Sequence, residues 1–190
     1  KVITAMGKMM LRPDDVYFTC LPLFHGNALL LTITTAMGAN AQVALYEKFS
    51  ASRFWDWVRE SEATVFNVLG AMIPILMKQP EKPADRNHKV RYVLSAACPA
   101  DMWGPFQERF GIEIIEAYGA VDGGGLAIMN WGQAPVGSIG RPLGKVLYRL
   151  VDDDMNDVEK GEPGELITWV GEKEKSVEYY KDGKATSDKV

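Results

Sequence analysis

Short apolar runs alternate with longer amphipathic segments along the first two thirds of the chain. The short runs are rich in β-branched and aromatic residues, which favour strands, while the longer segments carry apolar residues at helical spacing. Phe54, Trp55 and Val58, for example, share one helical face, and Ser50 is expected to cap that helix. The pattern predicts strands at 16–20, 42–46, 65–68, 92–94 and 113–117, and further helices at 3–11, 25–37, 72–78 and 100–110.

Strands that alternate with helices in this way predict βαβ units around a largely parallel sheet, which is the α/β fold class. Gly38 and Gly111 follow two of the predicted helices. They are expected to end these helices, because glycine adopts the left-handed conformation of a C-cap at little cost. The sequence therefore predicts a layered parallel sheet with flanking helices.

The composition of the chain changes after Tyr118. Glycine becomes frequent, which favours loops, and two more strands are predicted at 148–152 and 165–169, on either side of an acidic turn. We therefore expect an α/β subdomain over residues 1–136 and the start of a small β-rich subdomain over residues 137–190.

The charge and cysteine content argue against several kinds of function. The net charge is −4 and no basic cluster stands out, so nucleic acid is not expected as a partner. Cys20 and Cys98 lack CxxC spacing and are accompanied by only two histidines, His25 and His88, which argues against a metal site and for a reduced, cytoplasmic protein. The apolar stretch 26–43 contains Thr, Asn and Gln and is not expected to span a membrane.

Ligands of open α/β sheets bind beyond the carboxyl ends of the strands, so the segments after predicted strands are candidate sites. His25 lies in a proline-stiffened turn at the start of a predicted helix. By default, such a histidine would simply cap the helix or pack against neighbouring residues. The small residues at 95–99 would let a flat ring lie against the backbone, although tight packing explains them as well. The turn at 137–142 could be nothing more than a domain junction.

The segment 116–125 combines an aromatic ring, a glycine-rich backbone and a carboxylate. Tyr118 could stack a base, the backbone N–H groups near Gly119 could bind a phosphate, and Asp122 could hold Mg²⁺ on a hard oxygen. The spacing differs from the GxGxxG motif of dinucleotide-binding folds. Taken singly, none of these segments establishes a function, but their order along the chain is more specific.

Taken in order, the motifs resemble those of one superfamily. They are PLFHGN at 22–27, SAACP at 95–99, EAYGAVDGG at 116–124, GSIGRP at 137–142, GEPGEL at 161–166 and YYKDGKAT at 179–186. Over essentially its whole length the chain resembles the adenylate-forming acyl-CoA synthetases, luciferases and peptide-synthetase adenylation domains. Within them, segment 47–65 and the stretch HKVRYVLSAACPADMWGPFQERFGI are most similar to crotonobetaine/carnitine-CoA ligases and neighbouring fatty-acyl-CoA ligases.

This resemblance implies a two-step ligase reaction. A carboxylate attacks the α-phosphate of Mg-ATP to give an acyl-adenylate and pyrophosphate, and the CoA thiol then displaces AMP. The expected partners are a small-molecule carboxylic acid, ATP and CoA, with Mg²⁺ as the metal, and the acid is expected to be of betaine/carnitine type or a fatty acid. Such transfers depend mainly on positioning and charge neutralisation.

The same resemblance implies roles for individual residues. His25 would border the carboxylate as a catalytic residue, and Asp122 would hold Mg²⁺ as the metal ligand and second catalytic residue. The residues that would line the acid tunnel beside His25 are Val68, Leu69, Gly70, Gly123 and Gly124. The residues that would bind the nucleotide are Ala96, Ala97, Cys98, Glu116, Ala117, Tyr118, Gly119, Ala120 and Val121.

Two positions depart from the family pattern, which usually has Thr then Glu where this chain has Val121 then Asp122. Valine cannot donate the hydroxyl hydrogen bond that the family threonine gives to the α-phosphate, a loss of roughly 1.5–3 kcal/mol. Aspartate keeps the charge but shortens its reach by one methylene. Slow or altered adenylation, and a non-catalytic acyl- or nucleotide-binding pseudo-synthetase, are therefore open alternatives.

Several family motifs would fall outside the given residues. The phosphate loop with its lysine would lie just before Lys1, and the ribose-binding aspartate and the C-terminal domain would follow Val190. We therefore expect a central part of a longer synthetase, inactive in isolation but active in the full-length protein. Apolar surface at its ends would favour a homo-oligomer.

A further alternative is an adenylation domain that loads an amino or aryl acid onto a carrier protein. That class usually places an aspartate just after the third predicted strand, where it holds the amine of the substrate. Residues 68–70 of this chain are apolar, which disfavours that alternative.

Overall fold

The chain folds into two compact units. The computed structural model describes residues 2–120, 125–144, 147–168 and 178–188. The first unit comprises Lys1–Ala117 and Asn130–Gly140, and the second comprises Tyr118–Met129 and Arg141–Val190. The division between residues 136 and 137 that the sequence suggests stays a prediction. None of the described helices is long and apolar enough to cross a membrane.

Strands and helices alternate along the first unit, as the sequence predicts. The strands are β1 (Val16–Thr19), β2 (Gln42–Leu45), β3 (Val65–Leu69), β4 (Tyr92–Ala96) and β5 (Glu113–Ala120), the last of which runs on into the second unit. The helices are α1 (Val2–Met10), a π-helix (Asn27–Thr34), α2 (Thr35–Ala39), α3 (Phe54–Glu60), α4 (Met72–Met77) and α5 (Ala100–Phe110).

The five strands form a parallel sheet in the order β2-β1-β3-β4-β5. Val65 lies opposite Tyr17 on one side and Tyr92 on the other, so the three central strands are in register. This arrangement confirms the predicted α/β class. Because the strands are parallel, their carboxyl ends lie at one edge of the sheet, where ligands bind in folds of this class.

An aromatic core covers one face of this sheet. Phe54 of α3 makes edge-to-face contacts with Phe18 and Phe66, with ring centroids 5.4 and 5.2 Å apart. Trp55 stacks on Phe110 of α5 with centroids 4.3 Å apart. The four phenylalanine rings are fully buried. Aromatic side chains bury large areas and prefer such geometries. The packed rings therefore hold the strands, and with them their carboxyl ends, in fixed positions.

The predicted helix at 25–37 differs from the observed structure. A π-helix begins at Asn27 and passes into α2, which ends at Asn40 in the left-handed conformation with φ of 58°. Gly38 lies inside α2, so the prediction that it ends the helix is wrong. Asparagine tolerates the left-handed conformation better than most residues, and the chain uses it here instead of glycine. Gly111, by contrast, ends α5 as predicted, with φ of 69°.

Threonine hydroxyls form hydrogen bonds with the backbone of the π-helix. Thr34 and Thr35 both donate to the carbonyl of Leu30, at 2.6 and 3.2 Å. A side chain that bonds a carbonyl of its own helix competes with the backbone and bends it. π-Helical turns are rare and often occur at functional sites.

The predicted cap of α3 is also wrong. The helix begins at Phe54 with Arg53 as the capping residue, and no side chain bonds its free N–H groups. The hydroxyl of Ser50 instead lies 3.4 Å from that of Ser52. The carbonyl of Ser50 accepts a hydrogen bond from the N–H of Arg53, which places Ser50 in a turn before the helix.

The second unit is built mainly of short strands. Its elements are β6 (Gly125–Asn130), β7 (Arg141–Pro142), β8 (Tyr148–Val151), β9 (Glu165–Thr168) and α6 (Gly183–Asp188). β6 pairs with β7 and β8 pairs with β9, both antiparallel. Strands β8 and β9 match the predictions for this region. The expected loops after Tyr118 are in part strand, because β5 continues to Ala120 and β6 begins at Gly125.

Candidate functional site

The candidate site lies at the carboxyl ends of β3 and β4, beside β5. Gly70 follows β3, Ala97 follows β4, and Glu116 lies within β5. All three belong to the first unit. Because neighbouring parallel strands place these positions side by side, the predicted acid-pocket turn and the predicted adenine wall come together.

Gly70 packs directly against the Ala96–Cys98 turn. Its N–H donates to the carbonyl of Ala96 at 2.6 Å. A Cβ atom on Gly70 would lie 1.8 Å from the carbonyl oxygen of Ala97, which is closer than any real contact. Only glycine therefore fits at this position, and the acid-pocket turn and the adenine wall share one backbone contact.

Glu116 is a buried carboxylate that bonds the same turn. Its side chain accepts hydrogen bonds from the N–H of Ala97 and, at 3.1 Å, from the N–H of Cys98. Glu116 is only 3% exposed. A buried carboxylate is costly unless it is hydrogen-bonded, and bonds to an ionised acceptor are stronger than neutral ones. The pair of bonds therefore fixes the turn after β4.

Ala97 is held in a conformation that its side chain disfavours. Its φ is 68°, in the left-handed region, which costs an alanine about 1 kcal/mol. Ala97 is exposed although its neighbours are partly or fully buried. An exposed, small residue on a fixed backbone offers a flat surface of the kind expected for one wall of an adenine slot.

The cysteine of this turn is not a candidate nucleophile. Burial raises the pKa of the Cys98 thiol to about 12, and the negative charges of Glu116 and Asp101 add to the effect. The thiol therefore stays protonated near neutral pH, and the thiolate is the reactive form. Cys20 is also buried, and burial raises its pKa to about 11. Across the described ranges, no group of three or more His, Cys, Asp or Glu side chains could hold a metal ion.

His25 lies in an exposed turn before the π-helix. Its Nδ1 accepts the N–H of Asn27 at 3.2 Å, so in the neutral ring the proton lies on Nε2. Its own N–H donates to the carbonyl of Pro22 at 2.9 Å. The ring is thus oriented by its own turn, with Nε2 as a donor.

Asn67 ties that turn to the sheet, and sequence reasoning missed it. Its Nδ2 donates to the hydroxyl of Thr32 at 2.8 Å and to the side-chain and backbone oxygens of Asn27. Asn67 is 1% exposed and immediately precedes Val68, the first of the predicted acid-pocket residues. An asparagine inside the apolar run of β3 was the signal available in the sequence, since buried amides are almost always hydrogen-bonded.

The other predicted residues fall into three sets. Val68 is fully buried in the aromatic core, Leu69 and Ala96 are partly buried, and Ala117 is buried. Tyr118, Gly119 and Ala120 lie in the second unit, where the ring of Tyr118 is 46% exposed. The residues Val121, Asp122, Gly123 and Gly124 lie outside the described residues. Their roles stay predictions.

A surface groove of about 450 Å³ lies at the other end of α5 and does not form part of this site. Arg109 in its wall donates to the carboxylate of Asp85 at 2.7 Å and to the carbonyls of Met77 and Pro80. The guanidinium is therefore committed to holding α5 and α4 together. Ala100 begins α5 next to the adenine wall, about 15 Å from its far end at 1.5 Å per residue.

Comparison with known proteins identifies the family. Residues 2–171 match the family model of AMP-binding enzymes. The chain is 36% identical over 179 residues to the medium/long-chain-fatty-acid–CoA ligase FadD6 of Mycobacterium tuberculosis, an alignment that covers 89% of this chain and 30% of that protein. It is 38% identical over 158 residues to the long-chain fatty acid transport protein 2 of Rattus norvegicus, covering 80% of this chain and 25% of that protein.

The fold is shared with solved ligases. The crystal structure of a benzoate CoA ligase from Burkholderia xenovorans superimposes with a TM-score of 0.76 and 25% identity, covering 83% of this chain and 33% of that chain. The present chain thus spans about a third or less of each of these three proteins. The motifs, the parallel sheet and the family match over most of its length agree, and the chain belongs to the AMP-binding enzyme family.

Proposed function

We propose that the chain is part of an AMP-forming acyl-CoA ligase and supplies its acid pocket and one wall of its nucleotide site. The observation that supports this most directly is the contact between Gly70 and the Ala96–Cys98 turn. It brings together two segments that the family motifs assign to the two substrates that react, and reactants held side by side react much faster than free ones.

In this proposal the acid carboxylate attacks the α-phosphate of ATP, pyrophosphate leaves, and the thiol of CoA later displaces AMP. His25 borders the carboxylate and presents an oriented Nε2–H to it. Ala96, Ala97 and Cys98 form the adenine wall, and Tyr118 stacks on the base. Asp122 holds Mg²⁺, which would neutralise phosphate charge. These roles are carried over from the family motifs, and cytoplasmic localisation and homo-oligomerisation likewise stay predictions.

We further propose that the acid is a medium- or long-chain fatty acid. The names of FadD6 and of the rat transport protein both refer to such acids. Leu69 is apolar and only partly buried, and it suits a hydrocarbon chain, which gains free energy when it leaves water. Apolar walls also suit the trimethylammonium group of a betaine or carnitine, so acids of this kind are the competitors to test.

The test is acid-dependent exchange of pyrophosphate into ATP. We expect exchange with decanoate or palmitate, and less with carnitine or crotonobetaine, in the longest polypeptide that the gene encodes. The isolated chain is expected to show none, because the family's phosphate loop and C-terminal lysine are not among its residues. Robust exchange by the isolated chain would contradict the second expectation, and preference for carnitine would contradict the proposed acid.

A second candidate is a non-catalytic protein that binds an acyl-adenylate. Val121 favours it, because valine cannot replace the hydroxyl donor of the family threonine. Tight binding of a non-hydrolysable acyl-adenylate analogue by the gene product, without pyrophosphate exchange for any acid, would establish this candidate in place of the ligase. Transfer to a carrier protein in place of CoA would indicate an adenylation domain.

A further inference from the structure

Both oxygens of the Glu116 carboxylate are used within the fold. Oε1 accepts the N–H of Ala97 and Oε2 accepts the N–H of Cys98. The residue is 3% exposed, so its carboxylate is held within the fold. The family motif groups Glu116 with the nucleotide-binding residues, but its geometry is that of a residue that acts on the backbone of the neighbouring turn.

The turn that Glu116 holds is unfavourable without it. Ala97 has φ of 68°, which an alanine adopts only when surrounding contacts enforce it. Charge-assisted hydrogen bonds from two successive N–H groups are the contacts that enforce it here. If the carboxylate is lost, the turn is expected to relax toward an ordinary conformation.

The Ala96–Cys98 turn also determines the position of the acid-pocket turn at Gly70. The carbonyl of Ala96 accepts the N–H of Gly70 at 2.6 Å, and the carbonyl of Ala97 lies where a side chain of residue 70 would be. A rotation of the peptide planes at Ala96 and Ala97 would therefore move both oxygens relative to Gly70. The effect of Glu116 extends from β5 across β4 to the end of β3.

We propose that Glu116 is a positioning residue that fixes the adenine wall relative to the acid-pocket turn, acting through the backbone of Ala97 and Cys98. The assignment of the two turns to nucleotide and acid rests on the proposed function. The link that Glu116 makes between the two turns does not rest on the proposed function, and it can be tested without any ligand.

The first test measures amide hydrogen exchange in the longest polypeptide that the gene encodes, with Glu116→Gln. A glutamine amide presents N–H groups to one of the two backbone donors, so one hydrogen bond is lost. We expect the amides of Ala97 and Cys98 to exchange at least about tenfold faster, the effect of one hydrogen bond to a charged group, and the amide of Gly70 to follow. Unchanged exchange at Ala97 and Cys98, or a change there that does not reach Gly70, would overturn the proposal.

Asp101→Asn is the matched control. Asp101 is an exposed carboxylate in the first turn of α5, close enough to raise the pKa of Cys98 as Glu116 does. Its replacement removes the same charge but none of the bonds to the turn, so exchange at Ala97 is expected to stay the same. If Glu116→Gln does not fold, Glu116→Asp keeps the charge with a shorter reach. We expect the amides of Ala97 and Cys98 to exchange faster in this variant as well. Full protection of these amides in Glu116→Asp would likewise contradict the proposal.

The second test compares binding of AMP and IMP, which differ at the amino group of the adenine ring. A positioning residue affects both nucleotides alike, so Glu116→Gln is expected to weaken both by the same factor, about tenfold. If AMP alone is weakened, Glu116 touches the base and the proposal is wrong. If the unaltered longest polypeptide that the gene encodes binds neither nucleotide, the assignment of the turn to the nucleotide fails, whereas hydrogen exchange still decides whether Glu116 links the two turns.

Discussion

His88 shows how a single buried ring is fixed in one protonation state. Its Nε2 lies 3.1 Å from the carbonyl of Phe110, and its Nδ1 accepts the N–H of Val90 at 3.2 Å. These contacts define a neutral ring with its proton on Nε2. The ring also stacks on Trp55, with centroids 5.3 Å apart. Burial lowers the pKa of His88, and the charge of Arg59 acts in the same direction, against the hydrogen bond to Phe110.

This environment predicts a pH dependence of stability. The pKa of His88 is lower in the folded state than its usual value of 6.5. Below pH 6.5 the unfolded chain therefore binds more protons than the folded chain does. The free energy of unfolding is therefore expected to fall between pH 6.5 and the folded pKa, by no more than about 1 kcal/mol because the ring is only partly buried.

Urea unfolding at pH 5 and pH 7.5 measures this effect. His88→Gln keeps a donor for the carbonyl of Phe110 but cannot titrate, so its stability should change less between the two pH values than that of the unaltered chain. His25 is retained in both proteins, which isolates the contribution of His88. An identical pH dependence in the two proteins would rule out His88 as its source.

At the scale of elements, two helical glycines have opposite surroundings. Gly104 lies in α5 directly before Pro105, and a Cβ atom there would meet no atom within 4 Å beyond its own helix backbone and chain neighbours. Gly7 lies in α1, where a Cβ atom would be 2.3 Å from the backbone carbonyl of Thr35 in α2. Glycine weakens a helix interior, but the close contact with α2 requires it at Gly7. At Gly104, the absence of a Cβ atom lets the residue before a proline adopt the helical conformation.

The replacement of each glycine by alanine is therefore expected to change stability by different amounts. Gly104→Ala should change the free energy of unfolding by less than about 1 kcal/mol, because the smaller entropy loss of alanine is opposed by the clash of its Cβ atom with the ring of Pro105. Gly7→Ala should lower it by roughly 1–3 kcal/mol, because α1 and α2 must move apart. Denaturant titration of both variants measures the two values, and a stabilised Gly7→Ala would show that the contact between α1 and α2 is not tight.

Helix and strand positions were predicted well where local signals suffice. The bounds of α5 and its Gly111 cap follow from apolar spacing and glycine preference. The π-helix was predicted as an ordinary helix, because its wide turns depend on where threonine hydroxyls and Asn67 find partners. β5 extends beyond its predicted end, because strand conformation depends on pairing with a neighbour more than on local composition.

At the scale of the whole first unit, Asp15 ties distant parts of the chain together. Its carboxylate accepts the N–H of Arg12 at 2.7 Å, the hydroxyl of Thr64 at 2.6 Å and the guanidinium of Arg91 at 2.6 Å. Burial would raise the pKa of Asp15, but these hydrogen bonds outweigh it and hold the pKa below its usual value. The partners precede β1, β3 and β4, so the cluster joins the amino ends of three strands, opposite the site.

Asp15→Asn is expected to destabilise the fold and leave the site intact. We expect the free energy of unfolding to fall by about 2 kcal/mol at pH 7, less than for a fully buried pair because Arg91 is a third exposed. AMP affinity should not change, because the site lies at the carboxyl ends. In the unaltered chain this contribution is present above pH 3.8 and is lost as the pH falls through the lower folded pKa of Asp15.

The control for this prediction is Asp56→Asn. Asp56 pairs with Arg59 at the same distance of 2.6 Å, but its side chain is 61% exposed. Exposed ion pairs contribute less than about 1 kcal/mol, so this variant should differ little from the unaltered chain in urea. Equal losses in the two variants would mean that burial does not determine the strength of the Asp15 cluster.

The sequence by itself determined the α/β class, the order of most strands and helices, and the family, since periodicity, glycine positions and motif order are local properties. It also identified Gly70, the Ala96–Cys98 turn and Glu116 as candidates. Only the tertiary structure decided which groups they contact. Asn67 bonds Asn27 across 40 positions, and Glu116 bonds Ala97 across 19. A buried polar group must find a partner, but which partner it finds depends on strand order and register, which no local pattern specifies.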